Sequence, residues 1–191
     1  MSAKPEARSG NTKLATERRF FLWMTIAMAV VVFIGFARTF YLRFLFPDAQ
    51  ELAAPEPVFL VHGVVLTGWM LLLVSQALLI SGRRVSLHRS LGWLGAVLAV
   101  AVVVLGIHGA AVAAERPGGF FGVPFPPLQF LALPFVTMVY YGSLVALAIA
   151  WRGKAQFHKR AMLLATVTLL EAAIIRIPLD FIAAGVPFTS F

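Results

Sequence analysis

The chain is 191 residues long, 60% hydrophobic and only 13% charged, with a mean hydropathy of +0.88. Its net charge of +8 and pI near 10.9 invite a nucleic-acid reading, but the basic residues sit in short loops between apolar runs, so anionic lipid headgroups account for them and no nucleic-acid partner is expected. The absence of cysteine excludes disulfides, iron–sulfur clusters and thiolate metal sites.

The first 19 residues form a polar, basic tail that buries no apolar surface and is expected to be disordered. Five apolar stretches follow, over Phe20–Leu42, Val58–Ile80, Leu91–Ala114, Leu128–Trp151 and Ala161–Ala184. A helix of about 20 apolar residues, rising about 1.5 Å per residue, crosses the ~30 Å hydrocarbon core of a bilayer. Within lipid every backbone polar group needs an internal partner, and runs this long and continuous are helices rather than barrel strands. The expected fold is therefore all-α, a single domain of five transmembrane helices over residues 20–191.

Orientation follows from charge. Twelve of the sixteen Lys and Arg residues lie in the tail, the second-to-third loop (Arg83, Arg84, Arg89) and the fourth-to-fifth loop (Arg152, Lys154, Lys159, Arg160). Short Lys/Arg-rich loops stay cytoplasmic, which predicts a cytoplasmic N-terminus and, after five crossings, a periplasmic C-terminus in a bacterial inner membrane. The first stretch is too long for a signal-peptide core and lacks a small-residue cleavage site, so it reads as a retained anchor. The outer loops Phe46–Pro57 and Pro117–Pro127 are rich in proline. The four Trp and three Tyr residues, Trp69 and Tyr141 among them, are assigned to interfacial belts. Pro134 and Pro178 predict kinks in the fourth and fifth helices. Small residues along the third stretch (Gly92, Gly95, Ala96, Ala99, Gly106, Gly109, Ala110) predict a central, closely packed helix.

The polar residues inside the apolar stretches carry the functional argument. His62 and His108 lie equally far from the middle of the loop Gly82–Leu87, so a hairpin brings both about 28 Å above its inner end. His62, Trp69 and Gln76 are spaced by sevens on one helix face, which is expected to point into the bundle. His88 and His158 each open a helix directly after a basic loop, and form a second, inner pair. On the fifth stretch, Arg176 is eighteen residues beyond His158, five turns up, at the level of the outer pair; it can also pair with Asp180. Glu171 projects from another face of that helix.

Three readings of these residues stand open. Histidine pairs on facing helices suit axial ligation of b-type haem, with Arg176 and the loop arginines beside the propionates, in a quinone-linked or transmembrane electron carrier. His62, His108 and Glu171 could instead hold a non-haem metal. The histidines could also be plain interhelical hydrogen-bond partners in an accessory subunit of a larger respiratory or photosynthetic membrane complex. No nucleophile elbow, Walker motif or H-E-x-x-H pattern supports a hydrolase or ATP-driven pump, and five helices without an inverted repeat do not suggest a transporter.

His62-Gly63, Gln76, Arg83-Arg84, His88-Arg89-Ser90-Leu91-Gly92 and His158-Lys159-Arg160-Ala161-Met162 resemble a family of uncharacterised bacterial inner-membrane proteins. Its members share an H-R-x-L-G start to one helix and an H-(K/R)-R-x-M start to the last, and the likeness covers about 100 residues. More distantly the chain is similar to the cytochrome b561 type, in which a basic loop separates histidine-bearing helices. That resemblance implies pairing of His62 with His108 and of His88 with His158. The chain departs from it in carrying His88 and His108 on one helix, about 30 Å apart, which sends any two haems to opposite faces.

Overall fold

A computed structural model describes residues 5–46, 56–116, 119–120 and 125–177. The elements among the described residues are all helical, in the order α1 (Pro5–Phe36), a π turn (Ala37–Tyr41), a 3-10 turn (Arg43–Leu45), α2 (Pro57–Ser81), α3 (Val85–Glu115), α4 (Pro127–Ala150), α5 (Ala155–Leu169) and α6 (Glu171–Ile174). Four segments are long and apolar enough to cross a membrane: Leu14–Tyr41, Pro57–Ser81, Val85–Glu115 and Pro127–Ala150. Pro57 and Pro127 open α2 and α4, where a missing N–H costs nothing and a fixed φ favours the helix. Pro134 sits inside an unbroken α4.

The chain differs from the sequence-based expectation at both ends. The tail expected to be disordered is helical from Pro5, as the leading part of a 32-residue α1. Extending an existing helix adds one hydrogen bond per residue fixed, without a new nucleation cost, so a polar segment next to an apolar helix can follow it. The fifth stretch is not one helix. It breaks at Leu170, where Leu170 N–H reaches only to the Val167 carbonyl (3.0 Å), and Thr168 Oγ1 donates to the Ala165 carbonyl (2.7 Å). Residues 178–191, with Pro178 and Asp180, lie outside the described residues.

From α1 to α5 consecutive helices pack as antiparallel neighbours, and α6, just past the break at Leu170, packs on α1. Gly35 makes that return possible, because a Cβ there would overlap the backbone carbonyl of Ala173. As expected, α3 lies between two partners: Gly109 faces Phe59 of α2 and Gly106 faces Met138 of α4. The core joins Met28, Trp69, Met70, Ala99, Val102, Met138, Tyr141, Val145 and Ala165, drawn from all five long helices.

Trp69 and Tyr141 correct the belt assignment. Both are fully buried, their rings meet edge to face at 5.4 Å, and Trp69 Nε1 donates to Thr166 Oγ1 at 3.3 Å, tying α2 to α5. Twelve residues separate Trp69 from each end of α2, so its ring is at mid-membrane, where only the bundle interior offers its N–H an acceptor. Trp23, Trp93 and Trp151 are exposed, as belt residues are; Tyr140 is exposed too, but at mid-helix rather than near an end of α4.

The hairpin of α2 and α3 turns through Gly82–Arg84, with Arg83 in the left-handed region at φ 59°. At its far end Glu56 Oε1 accepts from Arg116 Nε at 2.7 Å, and the same guanidinium covers the Phe59 ring at 4.1 Å.

Candidate cofactor site

His88 and His158 occupy equivalent places. Each is the fourth residue of its helix, and its amide closes the first helical bond, to Arg84 O (3.1 Å) and Lys154 O (3.0 Å) respectively. The equivalence arises locally: a short basic loop ends, the helix starts, and the first full turn carries the imidazole inward. The two rings lie 6.2 Å apart, centre to centre, with planes at 82°. Among the described residues this is the one pair of imidazoles in ring contact. His158 Nδ1 sits 2.8 Å from the Ala148 carbonyl. A carbonyl only accepts, so Nδ1 carries the proton and Nε2 keeps its lone pair. His88 Nδ1 is buried and has no partner.

The surroundings of the pair are basic and anchored. Arg84 and Lys154 are exposed in the flanking turns, and Arg89 is exposed in the first turns of α3. Lys159, next to His158, bonds Glu17 of α1 at 2.6 Å and lies over the Phe21 ring at 4.7 Å, while Gln156 Nε2 donates to Glu17 at 3.3 Å. These contacts fix the start of α5 against α1.

The outer group is not assembled as expected. His62 has a buried Nδ1 without a partner, on the inward face of α2. His108, by contrast, is exposed and continues a stripe of exposed valines, Val97, Val100 and Val104, on the side of α3 opposite its buried glycines. Helix phase explains the correction: Gly106, Gly109 and Ala110 claim the packing face, and a residue between them must turn away. Depth is also off by about a turn, since the register set by Gly68 against Leu98 and Leu72 against Gly95 brings His62 level with Leu105.

The metal set of His62, His108 and Glu171 does not form either. No group of three or more His, Cys, Asp or Glu side chains suited to a metal occurs among the described residues, and Glu171 is exposed at the start of α6. Arg176 is reached by the broken path through α6 rather than by five straight turns beyond His158. Its guanidinium covers the Phe36 ring at 4.9 Å and donates to the Ala172 carbonyl at 2.5 Å.

No family model, curated protein or solved structure matches this chain.

Several polar contacts had little signal in the sequence. Tyr41, carried round by the π turn, shares a 2.9 Å hydrogen bond with Thr67, and Phe40 fills the space where Gly63 lacks a Cβ. Gln76, assigned by spacing to the face of His62, has a buried Oε1 without a partner. The Trp69–Thr166 contact brings Gln76 about level with His158, so it belongs with the inner pair.

Proposed function

We propose that this is an electron-transfer protein of a bacterial inner membrane, with a b-type haem held between His88 and His158 at the basic end of the bundle. The observation that carries the reading is the imidazole pair itself. Two axial ligands of one iron stand with ring centres about 6 Å apart, from about 2 Å per metal–nitrogen bond and about 1.1 Å from each nitrogen to its ring centre. The separation here is 6.2 Å, between rings carried by two different helices, α3 and α5. The Ala148 carbonyl orients His158 as backbone carbonyls commonly orient metal-bound histidines, fixing the tautomer and raising the basicity of Nε2. The orphaned Nδ1 of His88 and the exposed arginines of the adjoining turns supply the rest of a haem environment: an imidazole not yet spoken for, and cations for propionates.

A haem there would supply one-electron exchange at one face, with a membrane quinone as the natural class of partner. Gln76 Oε1 and His88 Nδ1 are buried without a partner at this level of the bundle, and the Glu17–Lys159 bridge keeps the start of α5 in place.

The visible spectrum of the detergent-purified protein, expressed with haem supplied, tests this. A sharp Soret band with reducible alpha and beta bands is expected. A colourless, folded protein would sink the proposal and favour the accessory-subunit reading, in which copurification with a larger complex is the expected result.

The same proposal includes five crossings, with the fifth made of α5, the break at Leu170 and the residues beyond, and with the basic loops inside. Twelve basic residues on one side support that orientation. A periplasm-dependent reporter fused after Phe191 is expected to be active, and activity of a cytoplasmic reporter there would reverse the count.

A further inference from the structure

A groove of about 940 Å³ runs between α1 and α5, on the far side of α5 from the imidazole pair. Its lining is ordered with depth. At one end stand Thr16, Glu17 and Arg160, with Leu14 beside them, and beyond them only apolar side chains follow, from Phe20 to Met28 on α1 and from Leu163 to Val167 on α5. Phe20 to Met28 spans about 12 Å of helix, close to the ~15 Å acyl depth of a single leaflet. A polar mouth above one leaflet's depth of apolar wall is the profile of a lipid rather than of a soluble ligand.

Charge then selects the lipid. Glu17, the only acid at the mouth among the described residues, is already engaged by Lys159 at 2.6 Å and by Gln156 at 3.3 Å. Arg160 is exposed and has neither a hydrogen bond nor an ion pair among the described residues. Its guanidinium stands near enough to Glu17 for the two charges to interact, but makes no hydrogen bond there, and offers a planar fork matched to phosphate.

We propose that this groove is a binding site for an anionic phospholipid, its phosphate on Arg160 and its acyl chains along α1 and α5. The site is independent of the haem reading. One function follows from its position: a lipid there fills the gap between α1 and α5, whose described polar link is the bridge at the groove mouth, and so holds the helix that carries His158.

The test is native mass spectrometry of the full-length, delipidated protein titrated with phosphatidylglycerol or phosphatidylethanolamine of matched chains. A basic residue near an anionic headgroup contributes about 1 kcal/mol, so retention of the anionic lipid is expected to be about fivefold higher. Arg160→Gln should bring the ratio to about one. Arg152→Gln, an exposed arginine outside the groove, should leave it unchanged. Inorganic phosphate at millimolar concentration should not displace the lipid, because the chains supply most of the binding. Equal retention of both lipids by the unaltered protein would overturn the proposal. So would an Arg160→Gln variant that keeps the preference, or displacement by phosphate alone. Helical content by circular dichroism confirms that each variant is folded before titration.

Discussion

Replacing His158 with alanine is expected to abolish the Soret band of the haem-supplied protein, and His88→Ala to do the same, whereas His62→Ala and His108→Ala leave it in place. The first two side chains form the one imidazole pair in contact, 6.2 Å apart, while His108 lies on the exposed side of α3. Loss of a group that merely orients a ligand lowers metal affinity by about 10–100-fold, and loss of a ligand itself costs more. A purely structural role predicts something much smaller. An interhelical polar contact in a membrane protein contributes about 0.6 kcal/mol, too little to unfold the bundle or change a colour. The measurement is the ratio of Soret to protein absorbance in each of the four variants after the same purification. A band that survives His88→Ala and His158→Ala but vanishes with His62→Ala would move the cofactor to the outer end and overturn the site argued above.

Trp69→Ala is expected to be the most destabilising single substitution in the chain, by about 3–5 kcal/mol. Two effects compete to explain Trp69, its hydrogen bond to Thr166 and its volume, and their sizes decide between them. At 3.3 Å the bond is long, and polar contacts between membrane helices average about 0.6 kcal/mol. The ring is fully buried, edge to face with Tyr141, in the core cluster that includes Met138 and Val102, and helix association in lipid depends on such packing because lipid tails are as apolar as the side chains. Trp69→Phe should therefore retain most of the stability, and Trp69→Ala very little. Unfolding in mixed micelles with increasing dodecyl sulfate fraction would measure both. Equal losses for the two variants would mean that the hydrogen bond, not the packing, holds α2 to α5.

Much of this architecture was open to reading from the sequence because lipid leaves the chain few choices. Continuous apolar runs and prolines at helix starts set α2 and α4 to within a residue at each end, whereas α1 and α3 begin well before their apolar runs. The inner histidines were legible for the same reason: His88 and His158 each follow a basic loop by the same short distance, so helix geometry brings both to one level. The outer pair misled because the hairpin symmetry of His62 and His108 fixes depth alone, and helix phase, decided by which small residues of α3 pack, turned His108 outward. Trp69 and Tyr141 misled in a different way. Their aromatic character suits both an interface and a core, and only a partner such as Thr166, 97 positions away, separates the two. The break at Leu170 had a faint local sign in Thr166-Val167-Thr168, whose hydroxyls turn back onto the Met162 and Ala165 carbonyls.

Arg83 has a consequence for biogenesis. Its left-handed backbone, φ 59°, is the position in the Gly82–Arg84 turn best suited to glycine, and holding a side chain there costs about 1–2 kcal/mol. The glycine instead stands one residue earlier, at an ordinary φ of −79°. What the arginine contributes is a second positive charge at the tip of the hairpin, where the insertion machinery decides which way a pair of nascent segments will face. On the proposed orientation, with this loop on the cytoplasmic side, a small strain in the finished turn would be offset by a charge that favours the correct facing of α2 and α3 during insertion.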